Sequence, residues 1–192
     1  MARIAVIYFS ATGTTASLAK AVHAGANEIA ESTICEIAGG DILSGRFQNQ
    51  AILEIADAAD GIIFGCPTYM GGPAAQFKAF ADATSDRWSA QQWSNKVAAG
   101  FTTGSCANSD QANTIAYFTI LSAQHGMLWC SLDIPGDGDQ RGLNRLGNQL
   151  GLVTQTVGGR LHKADLDTGA YLGKRLATIA TRIAKSADST KG

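Results

Sequence analysis

Short apolar runs that lack polar alternates constrain this chain most. Residues 4–9 read Ile-Ala-Val-Ile-Tyr-Phe, and residues 61–66 read Gly-Ile-Ile-Phe-Gly-Cys. A strand with one wet face alternates apolar with polar side chains. A strand that is apolar throughout must be covered on both faces, as in a parallel sheet between two helical layers. Pro67 follows the second run and is expected to stop it, because proline brings no N–H to a ladder. Further apolar runs at 33–38, 96–103 and 127–132 predict three more strands. Helical spacing predicts helices at 15–31, 51–59, 73–84 (with Pro73 in the first turn), 110–124 and 165–187. This alternation predicts an α/β fold, a three-layer, doubly wound, five-stranded parallel sheet. Hydrophobic residues are 45% of 192, so residues 1–192 can bury one core and read as one domain.

The segments between are less regular. Residues 39–50 read as loop, 86–95 as a polar stretch holding Trp88 and Trp93, and 188–192 as a frayed end. Residues 133–163 are glycine-rich without a clear period and are expected to line a site or an oligomer contact.

Charge and cysteine usage exclude several functions. With 15 Lys+Arg against 16 Asp+Glu, the net charge of -1 gives no basic field for nucleic acid or an anionic membrane. No apolar run approaches the roughly 20 residues of a membrane span. The first apolar run is followed at once by hydroxyl residues and reads as a strand rather than a signal peptide. Cys35, Cys66, Cys106 and Cys130 form no C-x-x-C pair and are read as reduced thiols of a cytoplasmic protein. The Asp137-x-Asp139 pair reads as a polar turn rather than a calcium loop, and no metal site is expected.

In an open parallel sheet, ligands sit beyond the carboxyl ends of the strands where strand order reverses. The predicted strand ends carry three loops that belong there. They are Ser10, Ala11, Thr12, Gly13, Thr14 and Thr15; then Pro67, Thr68, Tyr69, Met70 and Gly71; then Thr102, Thr103, Gly104, Ser105 and Cys106, with Asn108 close behind. None holds a charged residue, which is the composition of a site built from backbone N–H groups and hydroxyls. The first loop leads into a helix, whose N-terminus offers unpaired N–H donors and the positive end of a dipole to a phosphate. An ordinary capped helix start has similar composition. The loop is neither G-x-x-x-x-G-K-[ST] nor G-x-G-x-x-G, which disfavours a nucleoside triphosphate or a dinucleotide. One phosphate plus a flat ring held by the other two loops suggests FMN.

Tyr8-Phe9-Ser10-Ala11-Thr12-Gly13-Thr14-Thr15 resembles the phosphate loop of flavodoxin-like proteins. Gly65-Cys66-Pro67-Thr68-Tyr69-Met70-Gly71 and Gln124-His125-Gly126-Met127 are similar to segments of the WrbA-type NAD(P)H:quinone oxidoreductases. Trp88 before Lys96, and Tyr171-Leu172-Gly173 in the last helix, also match that family. The resemblance implies a flavodoxin-like sheet in the order 2-1-3-4-5, FMN as cofactor, NAD(P)H as co-substrate and a quinone-like, small-molecule electron acceptor. It implies that Ser10 to Thr15 hold the phosphate, that His125 is catalytic at the flavin edge, and that Tyr69 and Trp88 line the substrate pocket. Trp88 would come from a neighbouring subunit of a homo-oligomer, a dimer or a homotetramer. Three features depart from the family. Thr12 stands where it usually has tyrosine, Tyr69 where it has arginine, and the stretch from Asp133 replaces its S-P-Y-G segment.

Blander readings stand beside these. His125 can cap the carboxyl end of its helix, Trp88 and Trp93 can be surface packing, and His23 and His162 show no partner pattern. Cys106 has no second cysteine for a thiol redox role. An FMN-dependent oxidoreductase leads, with a flavodoxin-type electron carrier or a non-catalytic FMN-binding module as alternatives. A net charge of -1 is weak for a carrier steered by acidic surface.

Overall fold

The first apolar run is a strand whose alternate side chains enter two different cores. Ile4, Val6 and Tyr8 pack with Leu18, Val22, Leu172 and Leu176. Ala5, Ile7 and Phe9 pack with Phe64, Phe77, Phe80 and Phe118. Burial on both faces explains the absence of polar alternates.

The computed structural model describes residues 1–136 and 140–189. In chain order the elements are β1 (Arg3–Tyr8), α1 (Thr14–Asn27), β2 (Glu31–Glu36), β3 (Ile42–Leu43), β4 (Arg46–Phe47), α2 (Gln50–Ala58), β5 (Gly61–Tyr69), β6 (Gly72–Pro73), α3 (Ala75–Asp82), α4 (Ser85–Ser89), β7 (Val97–Gly104), α5 (Gln111–Gln124), β8 (Leu128–Trp129), β9 (Leu152–Val157), β10 (Arg160–Leu161) and α6 (Lys163–Ser189). The main sheet runs β2-β1-β5-β7-β9-β10, with β8 also on β7 and β6 also on β5. Pairings among β2, β1, β5, β7, β8 and β9 are parallel, while β6 and β10 are antiparallel additions. One helical layer is α1 with α6; the other includes α2, α3 and α5.

This is the flavodoxin-like order, with its fifth position made of two pieces. β8 pairs with Val97 and Ala98 at the start of β7. β9 pairs with Phe101 to Gly104 at its end. The run at 127–132 is therefore strand only at Leu128–Trp129, and the upper half comes from the segment that shows no clear period. β9 escaped the sequence reading because its buried Thr154 is polar; its N–H donates to Gln111 Oε1 (3.2 Å) and its hydroxyl to the Thr102 carbonyl (3.1 Å). The excursion between the two pieces is pinned by Arg145, whose guanidinium makes two 2.8 Å bonds to buried Asp165 on α6.

Other boundaries also differ from the sequence expectation. Pro67 lies inside β5 instead of ending it. The β1 ladder on β5 ends at Gly65, whose carbonyl accepts from Phe9 N–H. Pro67, two residues on, faces the same open side, so its missing N–H costs no ladder bond. Pro73 sits in β6, and α3 begins two residues later, at Ala75. Residues 39–50 hold a 3-10 turn and the β3-β4 hairpin, and 86–95 includes most of α4. α6 runs to Ser189, past the expected start of fraying. The polar-turn reading at Asp137 and Asp139, and the tail beyond 189, lie outside the described residues.

α1 and α6 cross at glycine contacts. A Cβ on Gly173 would overlap the Val22 carbonyl, and one on Gly25 the Ala170 carbonyl. The two backbones approach as closely as they do because neither position has a side chain.

Candidate functional site

The winding direction reverses at β1, which has β2 on one side and β5 on the other. The loops beyond β1, β5 and β7 open above that reversal, where a ligand is expected. At the entrance to α1, Gly13 adopts φ 89° and, as the N-cap residue, brings no side chain to cap the helix. Ser10 Oγ instead accepts from Gly13 N–H and Ala16 N–H, both at 3.1 Å, and ties the loop to the first turn of α1. The N–H groups of the first turn, at Thr14 and Thr15, have no intrahelical acceptor. Both residues line a cavity of about 240 Å³, together with Ala11, Thr12, Pro67, Thr68, Tyr69, Thr103, Gly104, Ser105 and Thr156.

A second cavity, of about 470 Å³, adjoins it and shares Thr68, Gly104 and Ser105. Its walls add Met70, Gly71, Cys106, Asn108, Ser109, Asp110 and Gln111. Left-handed backbone concentrates here. Met70 (φ 48°) and Gly71 (φ 78°) make the tight turn between β5 and β6, while Asn108 (φ 59°) and Ser109 (φ 38°) follow β7. Non-glycine residues in that region are strained and persist where surrounding structure holds them. Asn108 Nδ2 donates to the Leu146 carbonyl at 3.1 Å. Its Oδ1 is buried and has no partner.

Behind the loops, hydroxyls lock the strand tips together. The hydroxyls of Thr15 and Thr103 lie 2.7 Å apart. Thr68 Oγ1 lies 2.8 Å from Thr102 Oγ1 and 2.7 Å from Thr114 Oγ1. Gln111 Nε2 donates to the Cys106 carbonyl at 2.7 Å, tying α5 to the third loop. Among the described residues no lysine or arginine lines either cavity, and Asp110 is the one carboxylate. Burial pushes the Cys66 thiol up to about 12, so it stays protonated and inert. Cys106 is exposed and unpaired.

The structure gathers most residues singled out in the sequence but not all. Ser10, Gly13 and Thr102 shape the loops from behind the cavity walls. His125 is not at the cradle of its own chain. It caps the carboxyl end of α5, 1% exposed, beside Asn95, whose N–H donates to the Gly126 carbonyl just before β7 begins. The cradle lies at the other end of β7, roughly 25 Å away at about 3.3 Å per residue. Thr84 donates its hydroxyl to the Ala81 carbonyl (2.7 Å) and so accepts from His125 Nε2–H (2.9 Å). The imidazole stacks on Trp93, centroids 4.5 Å apart, and burial lowers its basicity. These contacts hold His125 as a buried ring at the carboxyl end of α5, away from the cradle of its own chain. Trp88, on α4, is half exposed and outside both cavities of its own chain. Trp93 is core rather than surface, its Nε1–H held by Asp57 at 2.7 Å. Ser109, Asp110, Gln111 and Thr156 were missed. The first three continue the third loop into α5, while Thr156 needed β9 to be recognised.

The residues fit a phosphate monoester joined to a flat heterocycle. Helix-start N–H groups and hydroxyls line one cavity, and strained backbone and the orphaned Asn108 Oδ1 border the next. The profile of the NADPH-dependent FMN reductase family matches residues 2–135. The chain is 33% identical to Flavodoxin FldP of Pseudomonas aeruginosa (strain UCBPP-PA14), over 95% of this chain and 99% of the relative. It is 32% identical to an NAD(P)H dehydrogenase (quinone) of Archaeoglobus fulgidus, over 95% of this chain and 100% of the relative. The crystal structure of the flavodoxin, WrbA-like protein from Agrobacterium tumefaciens superposes with a TM-score of 0.77 at 36% identity, covering 95% of this chain and 99% of that one. With the cradle, the topology and the relatives in agreement, the chain belongs to the NADPH-dependent FMN reductase family, as an FMN-dependent oxidoreductase of flavodoxin-like fold.

Proposed function

We propose that this protein passes two electrons from NAD(P)H to a quinone-like acceptor by way of bound FMN. The observation that carries the reading is the meeting of three strand-tip loops in one cradle, with Thr68, Gly104 and Ser105 common to its two parts. Relatives named NAD(P)H dehydrogenase (quinone) support the donor and the acceptor class.

In this reading Ser10, Ala11, Thr12, Gly13, Thr14 and Thr15 hold the phosphate, with first-turn N–H groups donating at the positive end of α1. Pro67, Thr68, Tyr69, Met70 and Gly71 hold the ring from one side. Thr102, Thr103, Gly104, Ser105, Cys106 and Asn108 hold it from the other. When bound, FMN supplies the hydride acceptance and electron delivery. The chain orients it and shields it from water. Tyr69, half exposed at the rim, gives an aromatic face for nicotinamide or quinone rings.

The whole chain, residues 1–192, works as one unit in this reading, in a homodimer or homotetramer. Half-exposed Trp88, remote from its own cradle, is then available to another subunit's pocket. The four unpaired cysteines favour the cytoplasm.

The protein should purify yellow, release FMN rather than FAD on denaturation, and oxidise NADH or NADPH with a benzoquinone acceptor. FMN-loaded protein inert with both nucleotides overturns the enzymatic reading. The relationship to Flavodoxin FldP favours a second reading, an electron carrier. Reductive titration that halts at a stable one-electron stage supports the carrier; direct passage to the two-electron stage supports the reductase.

A further inference from the structure

We infer that Thr68 meets its ligand only as a hydrogen-bond acceptor, and that Thr102 enforces this polarity. The inference rests on the FMN reading and deepens it by assigning the direction of one contact. A hydroxyl has one hydrogen and two lone pairs. Thr102 Oγ1 lies 2.7 Å from the Cys66 carbonyl oxygen, which can only accept, so the Thr102 hydrogen is committed there. At 2.8 Å from Thr102 Oγ1, Thr68 must therefore donate. With its own hydrogen used, Thr68 accepts from Thr114 Oγ1 at 2.7 Å. Thr119 and Ser122, on the same helix as Thr114, donate instead to the Ile115 and Phe118 carbonyls one turn back. The hydrogens thus run one way, from Thr114 to Thr68 to Thr102 to the Cys66 carbonyl.

Thr102 and Thr114 are both fully buried, so water does not reach them to reverse the order. Thr68 lines both cavities and has one lone pair left to offer. A ligand carbonyl or bare ring nitrogen set against it meets lone pair with lone pair; an N–H makes a bond. A flavin ring carries one N–H when oxidised, at N3, and gains N–H on two-electron reduction. Thr68 therefore selects an N–H edge of the ring, and Thr102 is a positioning residue acting through it.

The test is FMN binding, oxidised and dithionite-reduced, to wild type, T68V, T68S, T102V and T68V/T102V, with thermal unfolding of each apoprotein. T68V is expected to weaken one or both states about tenfold, and T68S to restore it. T102V frees the Thr68 hydrogen to turn into the cradle or toward Thr114, and is expected to weaken binding measurably but by less than T68V. It should add nothing once Thr68 is valine, whereas independent packing effects would add. A loss in both states assigns the partner to N3–H, and a loss in the reduced state alone to an N–H gained on reduction. Unchanged affinity in T68V, or additive losses in the double variant, overturns the inference alone. A wild type that binds no FMN overturns the functional reading and this inference with it.

Discussion

Thr15, in the first turn of α1, and Thr103, near the end of β7, bring their hydroxyls to 2.7 Å across 88 residues of sequence. Both are buried, at 1% and 2% exposure. The bond clamps the amino end of α1 against the sheet, beside the smaller cavity that Thr14 and Thr15 line. Replacing either threonine with valine strands one buried hydroxyl, at a cost of about 1–3 kcal/mol. T15V/T103V removes both polar groups and should cost less than the two single losses together. Urea unfolding of the four proteins checks this, and full additivity would show that the pair is not coupled.

Gly173 reverses the usual rule for helices. Alanine in place of glycine inside a helix ordinarily gains about 1 kcal/mol. Here the new methyl would press on the Val22 carbonyl of α1. G173A should instead destabilise by about 1–3 kcal/mol, seen as a lower unfolding midpoint. A raised midpoint would mean that α1 and α6 separate without cost.

The Arg145–Asp165 pair holds the excursion between β8 and β9 against α6. The Asp165 side chain is 2% exposed and that of Arg145 is 27%. R145M leaves a buried carboxylate without its partner, which should cost about 3 kcal/mol. R145M combined with D165N should recover part of that loss, because the unpaired charge is gone. Equilibrium denaturation of the single and double variants tests the coupling.

Stability should depend on pH through His125. Burial holds its folded pKa below the ordinary histidine value of about 6.5. A base harder to protonate when folded binds fewer protons in the native than in the unfolded state. Its contribution is therefore complete above about pH 6.5 and is lost as pH falls through that value toward the lower folded one. Urea midpoints measured across this window should fall with acid for wild type and more shallowly for H125Q. Trp93 fluorescence, reporting on the stacked pair, should change over the same range.

Legibility followed the range of the interactions involved. β1 and β5 were visible because covering both faces of a strand leaves an unbroken apolar run, a local property. The three loops were visible as a set because each carries the same Gly, Ser and Thr composition at a strand end. β9 was hidden, since Thr154 and Gln155 break its apolar pattern and Thr154 is satisfied by Gln111, 43 residues away. Pro67 read as a terminator because nothing local says that β1 has already ended at Tyr8, opposite Gly65.

His125 marks the same boundary from the other side. Its Gln124-His125-Gly126-Met127 segment resembles a family motif, yet tertiary packing sets its ring between Trp93 and Thr84, at the far end of β7 from the cradle. The amino-acid order alone determined the layered α/β architecture and the neutral chemistry of the ligand loops. Both follow from side-chain polarity counted along short stretches. Which hydroxyls pair, which way their hydrogens point and where His125 sits within its own chain were decided only on folding. Those depend on groups dozens of residues apart meeting within 3 Å of one another, a distance at which each has a single hydrogen to give.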